Sequence, residues 1–384
     1  MRVFKRILHS CAVAAILAAP VAGSVQAQDL FPNEQIETAA GFPAITMFKP
    51  GDADRPLVVF IPGAHHAARV SYGGHEGAEE KDFLAYWLNQ QGYNFLAISY
   101  PIDTVVGGIP TEHPDFTIRD WGAQAAELTR QHVDANGLNG EVIVMGWSMG
   151  GKISQSVHEA MREQGLDLKF YTSVTATAPT PGLIALTREF PMLETGLTDR
   201  RKNYAGWFAQ VAENSKAVGH EIVPEQIFTE QYQGDIPIGL QGYSQVYRDG
   251  AFVIDQLAYQ EDAKPFAFKD FPLVAMIIPD GRGDRRHALT DQAIWSMYNA
   301  NTVYNSWITA NEVDVNTLSD ESWRGILDLT RSLDEKLSMT IDGNHFFFMG
   351  EPGAKATAEA LAQLDKNVTE VKSQASDLLG VTID

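Results

Sequence analysis

Short continuous apolar runs alternate along the chain with longer stretches in which apolar residues recur every three or four positions. Leu168–Ala176 is a strand candidate, and the runs Leu57–Ile61, Phe95–Ile98, Val142–Met145 and Leu273–Ile278 are unbroken apolar stretches. That is the pattern of strands covered on both faces. Helical periodicity appears between them. Phe83, Leu84, Trp87 and Leu88 share the inner face of a helix near 81–91 that Gly92 stops. Trp121, Ala125 and Leu128 share another, which opens on Thr117-Ile118-Arg119-Asp120 with capping-box spacing and ends at Asn136-Gly137. Ile153, Val157, Ala160 and Met161 fall on one face of a third. A strand candidate at Ala44–Phe48 precedes the first run. Helical stretches cover much of 291–333, Lys336–Ile341 gives the last strand, and the chain is helical from Pro352 onward. Strands alternating with helices predict βαβ units: an α/β fold with a mostly parallel central sheet flanked by helices.

The rhythm fails between Gly182 and Asp270. This stretch is aromatic-rich and holds one amphipathic helix around 200–216, with Tyr204, Trp207, Phe208 and Val211 on one face. The expectation is an inserted, partly helical cap over the sheet's active edge, with most of its aromatics forming the cap's own core. The predicted division is a core domain of 28–181 and 271–384 with a cap or lid of 182–270. At 384 residues and 45% hydrophobic content, the chain is long enough for one large core plus such an appendage.

The N-terminus follows different rules. Arg2, Lys5 and Arg6 precede an Ala-rich apolar run to about Val21, and Val25-Gln26-Ala27 offers small residues where a signal peptidase reads. Residues 1–27 are read as a signal peptide cleaved after Ala27, which predicts a periplasmic or secreted protein with no integral span after its removal. Cleavage would also remove Cys11, the only cysteine, and with it any disulfide or thiol chemistry. The net charge is −20, and the leader carries three of the 29 basic residues and none of the 49 acids. Such an acidic chain is a poor match for nucleic acid or an anionic membrane and is kept soluble by its charge.

The chemistry centres on Glu141 to Gly151, where a buried strand meets Gly146-Trp147-Ser148-Met149-Gly150-Gly151 and then a helix. Gly-x-Ser-x-Gly alone is weak in a chain with 32 glycines; the strand before it and the helix after it give it meaning. In this setting the stretch resembles the nucleophile elbow of the α/β-hydrolase superfamily. The resemblance covers nearly all of the chain after the leader except the cap, and it implies a Ser, acid, His order. Ser148 would be the nucleophile, and Asp284 the acid, from Gly281-x-x-Asp284 after the penultimate strand. Asp280, nearer the strand end, is the alternative. His345, in Asp342-Gly343-Asn344-His345 after the last strand, would be the base. The oxyanion hole would use the Met149 N–H and one from Pro62-Gly63-Ala64-His65-His66, where relatives often carry His-Gly-x or Gly-Gly-Gly. Ala64 is taken as that donor, with His65 the alternative. His65 or His66 is expected beside Ser148 shaping the substrate pocket, with His65 named for it, and Trp147 is expected to be core packing or pocket wall.

His65, His66 and His75, with Glu76, Glu79 and Glu80 nearby, have no recognised zinc spacing, so no metal is expected. No phosphate loop, dinucleotide fingerprint or haem-ligation motif occurs, and no cofactor is implied. The expected activity is that of an exported serine hydrolase acting on a small-molecule carboxylic ester through an acyl-enzyme. A peptidase of the same fold is the second reading, with Glu225 or Glu230 available to hold an amine terminus. A non-catalytic binding protein ranks last, since all three triad residues are present.

Overall fold

The computed structural model describes residues 30–383, so the expected leader and its cleavage site lie outside the described residues. Eight strands form the central sheet: β1 (Glu34–Ala39), β2 (Phe42–Lys49), β3 (Leu57–Ile61), β4 (Asn94–Ser99), β5 (Glu141–Trp147), β6 (Asp167–Val174), β7 (Val274–Pro279) and β8 (Ser338–Ile341). Their order in space is β1-β2-β4-β3-β5-β6-β7-β8. The pairs from β4 through β8 are parallel, and β2 runs antiparallel to both β1 and β4. Strands β3 and β4 are buried along their whole length, and β5 at every residue after Glu141. Continuous apolar runs suit that position because helices cover both faces.

Three helices follow the apolar periodicity. They are α1 (Leu84–Gln90), α2 (Ile118–Asn136) and α3 (Ser154–Glu163). In α2 both halves of the capping box form between Thr117 and Asp120, and Gly137 closes the other end in the left-handed conformation. Beyond β7 come α6 (Arg285–Thr302), α7 (Asp320–Lys336) and, after β8, α8 (Glu351–Leu379). Between β6 and β7 the chain forms α4 (Tyr204–Val218), a hairpin of Gln245–Arg248 with Ala251–Ile254, and α5 (Gln256–Ala263), none of which adds a strand to the main sheet. Its own small apolar cluster is Phe190, Ile238 and Tyr243. Of Tyr204, Trp207, Phe208 and Val211, only Val211 is fully buried, and Trp207 and Phe208 are half-buried against the main core rather than in a core of the segment's own. No helix among the described residues is long and apolar enough to cross a membrane.

Strand β1 was not anticipated. It turns into β2 through Ala40 and Gly41, both at positive φ, the geometry of a tight hairpin turn. Ala-Gly is a weaker hairpin signal than Asn-Gly, and an edge strand half open to solvent shows no apolar run. Its anchor is Glu34, which takes the Arg69 guanidinium at 2.7 Å from both Nε and Nη2, with both side chains fully buried. Arg69 also donates to the carbonyls of Gln231 (2.6 Å) and Gly107 (3.0 Å) and lies over the Phe31 ring. One side chain thus ties the loop after β3 to the sheet edge and to the segment between β6 and β7.

Removing one partner of a buried pair leaves the other charge uncompensated, which costs about 3–5 kcal/mol. Glu34→Ala should therefore lower the unfolding free energy by about that amount in urea titration, while Glu34→Leu with Arg69→Met recovers most of it. A loss below about 1 kcal/mol in the single variant would contradict this role.

Candidate active site

At the end of β5 the chain must reverse from strand to helix within a few residues. Ser148 stands at the reversal with φ 54°, a left-handed conformation unusual for a side chain other than glycine. The 3-10 turn Ser148–Ile153 then leads into α3. Two glycines leave room for the reversal. A Cβ on Gly146 would lie 1.7 Å from Tyr171 Oη, the hydroxyl that donates to the Gly150 carbonyl at 2.8 Å beneath the turn. A Cβ on Gly63, in the loop after β3, would lie 2.8 Å from the Ser148 Cβ.

Parallel strands bring the following loops to the same edge of the sheet. The loop after β8 places His345 so that its Nε2 is 2.9 Å from Ser148 Oγ. The 3-10 turn Arg282–Asp284 after β7 places Asp284 Oδ2 2.6 Å from His345 Nδ1. The ring nitrogen facing the carboxylate carries the proton, leaving Nε2 to accept from the serine. Burial works against the Asp284 carboxylate, but the charge and hydrogen bond of His345, with His287 and the Thr175 hydroxyl, hold its pKa below the ordinary range. Asp280 is not at the imidazole. It is exposed, and its Oδ1 accepts from the Gly343 N–H at 3.2 Å, so it shapes the turn instead.

Two backbone donors border the serine. The Met149 N–H belongs to the first turn of a 3-10 helix, where no earlier intrahelical carbonyl is in reach. The Gly63 carbonyl is held by Tyr100 Oη at 2.5 Å, and peptide planarity turns the Ala64 N–H the opposite way. Ala64 and Met149 both line the cavity above Ser148, which has a volume of about 280 Å³.

The paired histidines divide in a way the sequence did not indicate. His66 lines the cavity, whereas His65 is buried behind it and does not, so the pocket role expected of His65 belongs to its neighbour. His65 Nδ1 donates to the Gly234 carbonyl at 2.8 Å, and its Nε2 accepts from Gln241 at 3.1 Å. His66 Nδ1 donates to the Ala64 carbonyl at 2.7 Å. Burial pushes His65 well below its ordinary pKa and His66 down to about 3, so both rings are neutral. Trp147 is both wall and packing: it lines the cavity, donates from Nε1 to the His345 carbonyl at 3.1 Å, and meets Phe346 and Phe348 edge to face. Trp207, expected in the cap's own core, lines the cavity and packs edge to face on His66. Glu225 and Glu230 do not reach the cavity, where Asp284 is the sole carboxylate among the described residues.

Four cations at the cavity went unrecognised in the sequence: Lys152, Arg188, Arg200 and Arg286. Their sequence contexts are uninformative, since one follows the elbow glycines, two lie in the aromatic segment and one sits in a dibasic pair. Arg286 donates to Thr177 Oγ1 at 2.9 Å and contacts His287 Nε2. His287 Nδ1 in turn faces Asp291 Oδ2 at 2.7 Å, and burial keeps this histidine's pKa below its ordinary value. Asp284, His287 and His345 offer ligand atoms within 4.8 Å of one another. Each is already engaged in a hydrogen bond, and the adjoining Arg286 guanidinium opposes a cation there. Of the histidines weighed as ligands, His75 is bonded through Nδ1 to Tyr232 Oη at 2.6 Å.

The strand order, the antiparallel second strand and a serine turn after β5 settle the architecture. This is the α/β-hydrolase fold. No protein-family model and no curated protein matches the sequence. Among solved structures, a soluble variant of monoglyceride lipase from Saccharomyces cerevisiae is similar over 90% of this chain and 97% of its own, at 13% identity and TM-score 0.44. An epoxide hydrolase from Vigna radiata is similar over 88% of this chain and 96% of its own, at 15% identity and TM-score 0.42. A thermophilic esterase from Thermogutta terrifontis covers 89% and 99%, at 12% identity and TM-score 0.41.

Within this α/β-hydrolase fold Lys152 is costly. It is 4% exposed, with only long contacts to the Ala178 carbonyl (3.3 Å) and Tyr259 Oη (3.4 Å). Burial, then Arg286, pushes its pKa down to about 7. Lys152→Met keeps the volume and removes the charge, and should stabilise the protein by about 1 kcal/mol or more at pH 7. The folded pKa lies below the unfolded one, so the penalty is complete below pH 7 and fades as pH rises toward the lysine's ordinary value. The variant's gain in melting temperature should shrink over that window; a gain that is absent, or grows with pH, would contradict this assignment.

Proposed function

We propose that the protein is an exported serine hydrolase of carboxylic esters. The observation that carries this reading is the continuous hydrogen-bonded line from Ser148 Oγ through His345 to Asp284, at 2.9 and 2.6 Å. A serine hydroxyl is a poor nucleophile at neutral pH, and a base within hydrogen-bond reach is what activates it. Ser148 Oγ attacks the ester carbonyl while His345 Nε2 takes its proton. Asp284 stabilises the imidazolium that forms and keeps the ring in the tautomer that presents a bare Nε2. The N–H groups of Met149 and Ala64 bind the oxyanion, each worth about 3–4 kcal/mol in such sites. His345 returns the proton to the leaving alcohol, and the acyl group stays on Ser148. Water, deprotonated by the same nitrogen, then releases the carboxylic acid and restores the hydroxyl. The leader-like sequence of residues 1–27 is what supports export in this reading.

The tests are ester turnover and its loss. With 4-nitrophenyl esters, Ser148→Ala and His345→Ala should each lower kcat by about 10³-fold or more, and Asp284→Asn by a comparable factor. Asp280→Asn should stay within about threefold of wild type, because a turn contact rather than the imidazole is changed. Full activity in Ser148→Ala would end the proposal, and a larger loss in Asp280→Asn than in Asp284→Asn would move the acid. Comparing an ester with the amide of the same acyl group separates esterase from amidase.

A further inference from the structure

The charge inside the cavity is opposite to that of the chain. The sequence carries 49 acidic against 29 basic residues, yet the cavity wall holds Lys152, Arg188, Arg200 and Arg286 against Asp284 alone. Asp284 is already committed to His345. None of the four cations takes part in an ion pair among the described residues, whereas Arg69, Arg162, Arg201, Arg248 and Lys264 all do. What distinguishes these four is their place: they converge on one cavity without an ion-pair partner there.

Neutral groups hold them instead. Arg200 donates to Gln241 Oε1 at 3.1 Å and lies 5.1 Å over the rings of both Trp207 and Phe190. Arg188 lies 4.8 Å over Phe190 and 5.8 Å over Tyr243. Arg286 is fixed by Thr177 and by His287, which Asp291 orients from behind. Lys152 is enclosed by the Tyr243 and Tyr259 rings, at 5.9 and 5.7 Å. These contacts set direction without cancelling charge, and together they leave several donors facing one small space. Burial followed by the neighbouring arginine holds Lys152 near pH 7 and Arg200 near 10, the condition of cations whose counter-charge is missing.

We propose that this cavity selects esters bearing a negatively charged group, a carboxylate or a phosphate, which is seated among Lys152, Arg200, Arg286 and Arg188. The word ester rests on the hydrolase reading above; the anion site stands on its own residues. The anion supplies the charge these side chains lack, and Gln210 and Gln241 add neutral donors beside it. A neutral acyl chain in the same place would leave the cations desolvated and unpaired, so the pocket discriminates by rejection as well as by attraction.

The experiment has a turnover arm and a binding arm. Turnover compares 4-nitrophenyl hydrogen succinate with 4-nitrophenyl valerate, a neutral ester of similar length. Binding titrates succinate, and separately inorganic phosphate, into the protein by calorimetry. Both arms use wild type, Arg200→Gln and Lys152→Met, with melting curves to establish that the variants are folded. The expected result is a kcat/KM for the succinate ester about tenfold or more above that for the valerate, with a KM that rises with salt. That ratio should fall about tenfold in each variant, and the tighter of the two titrated anions identifies the group. Ester cleavage with equal or better use of valerate, and no anion binding, would overturn the anion site and leave the hydrolase reading intact. Anion binding that the variants lose, with no ester cleaved, would support the site and remove the hydrolase reading. Failure of both arms would remove both.

Discussion

The reversal of the chain at Ser148 is the constraint on which the site depends. A strand buried on both faces becomes a helix here without an intervening loop, and it does so by holding Ser148 at positive φ. That conformation persists because its surroundings leave no alternative. Tyr171 stands where a Cβ on Gly146 would be and bonds the Gly150 carbonyl, and Gly63 closes on the serine from the loop after β3. The same reversal frees the Met149 amide and lifts the hydroxyl to the sheet edge. Strain in the backbone is thereby turned into exposure of one side chain.

Everything else that reaches the hydroxyl arrives from the ends of parallel strands, and each arrival is secured by a further hydrogen bond. Tyr100 fixes Gly63, and His66 fixes the Ala64 carbonyl. Arg69 ties that loop to Glu34 on β1. Trp147 holds the His345 carbonyl. The two buried histidines of the loop after β3 have their ring nitrogens engaged by Gly234, Gln241, Ala64 and Gln233, whereas His345 alone turns a ring nitrogen to the Ser148 hydroxyl. Against this rigid frame the cavity's cations are oriented by aromatics, amides and hydroxyls, and no carboxylate pairs with them among the described residues.

Much of the architecture was legible in the sequence because strands covered on both faces write themselves as unbroken apolar runs. The elbow was legible because its glycines answer a steric need within five residues. His345 and Asp284 were reached through the resemblance, from its Ser, acid, His order and from Gly281-x-x-Asp284, while the geometry that separates Asp284 from Asp280 is one a four-residue spacing does not specify. What stayed hidden depends on residues distant in sequence. Strand β1 pairs through an Ala-Gly turn with little local signature. Trp207 sits on a helix face that reads as core but covers the cavity. The choice between His65 and His66 is made by Gly234 and Gln241, more than 160 residues away. The cationic lining is drawn from the elbow, the segment between β6 and β7, and the start of α6, and only folding brings these together.

The most direct measurement of the central claim, that Ser148 is an activated nucleophile, is the intact mass of the protein after exposure to a fluorophosphonate, followed by peptide mapping. The account predicts one phosphonyl group per chain, located on Ser148, with the rate of labelling strongly reduced in Asp284→Asn. No adduct, or an adduct on another side chain at the same rate in both proteins, would contradict it.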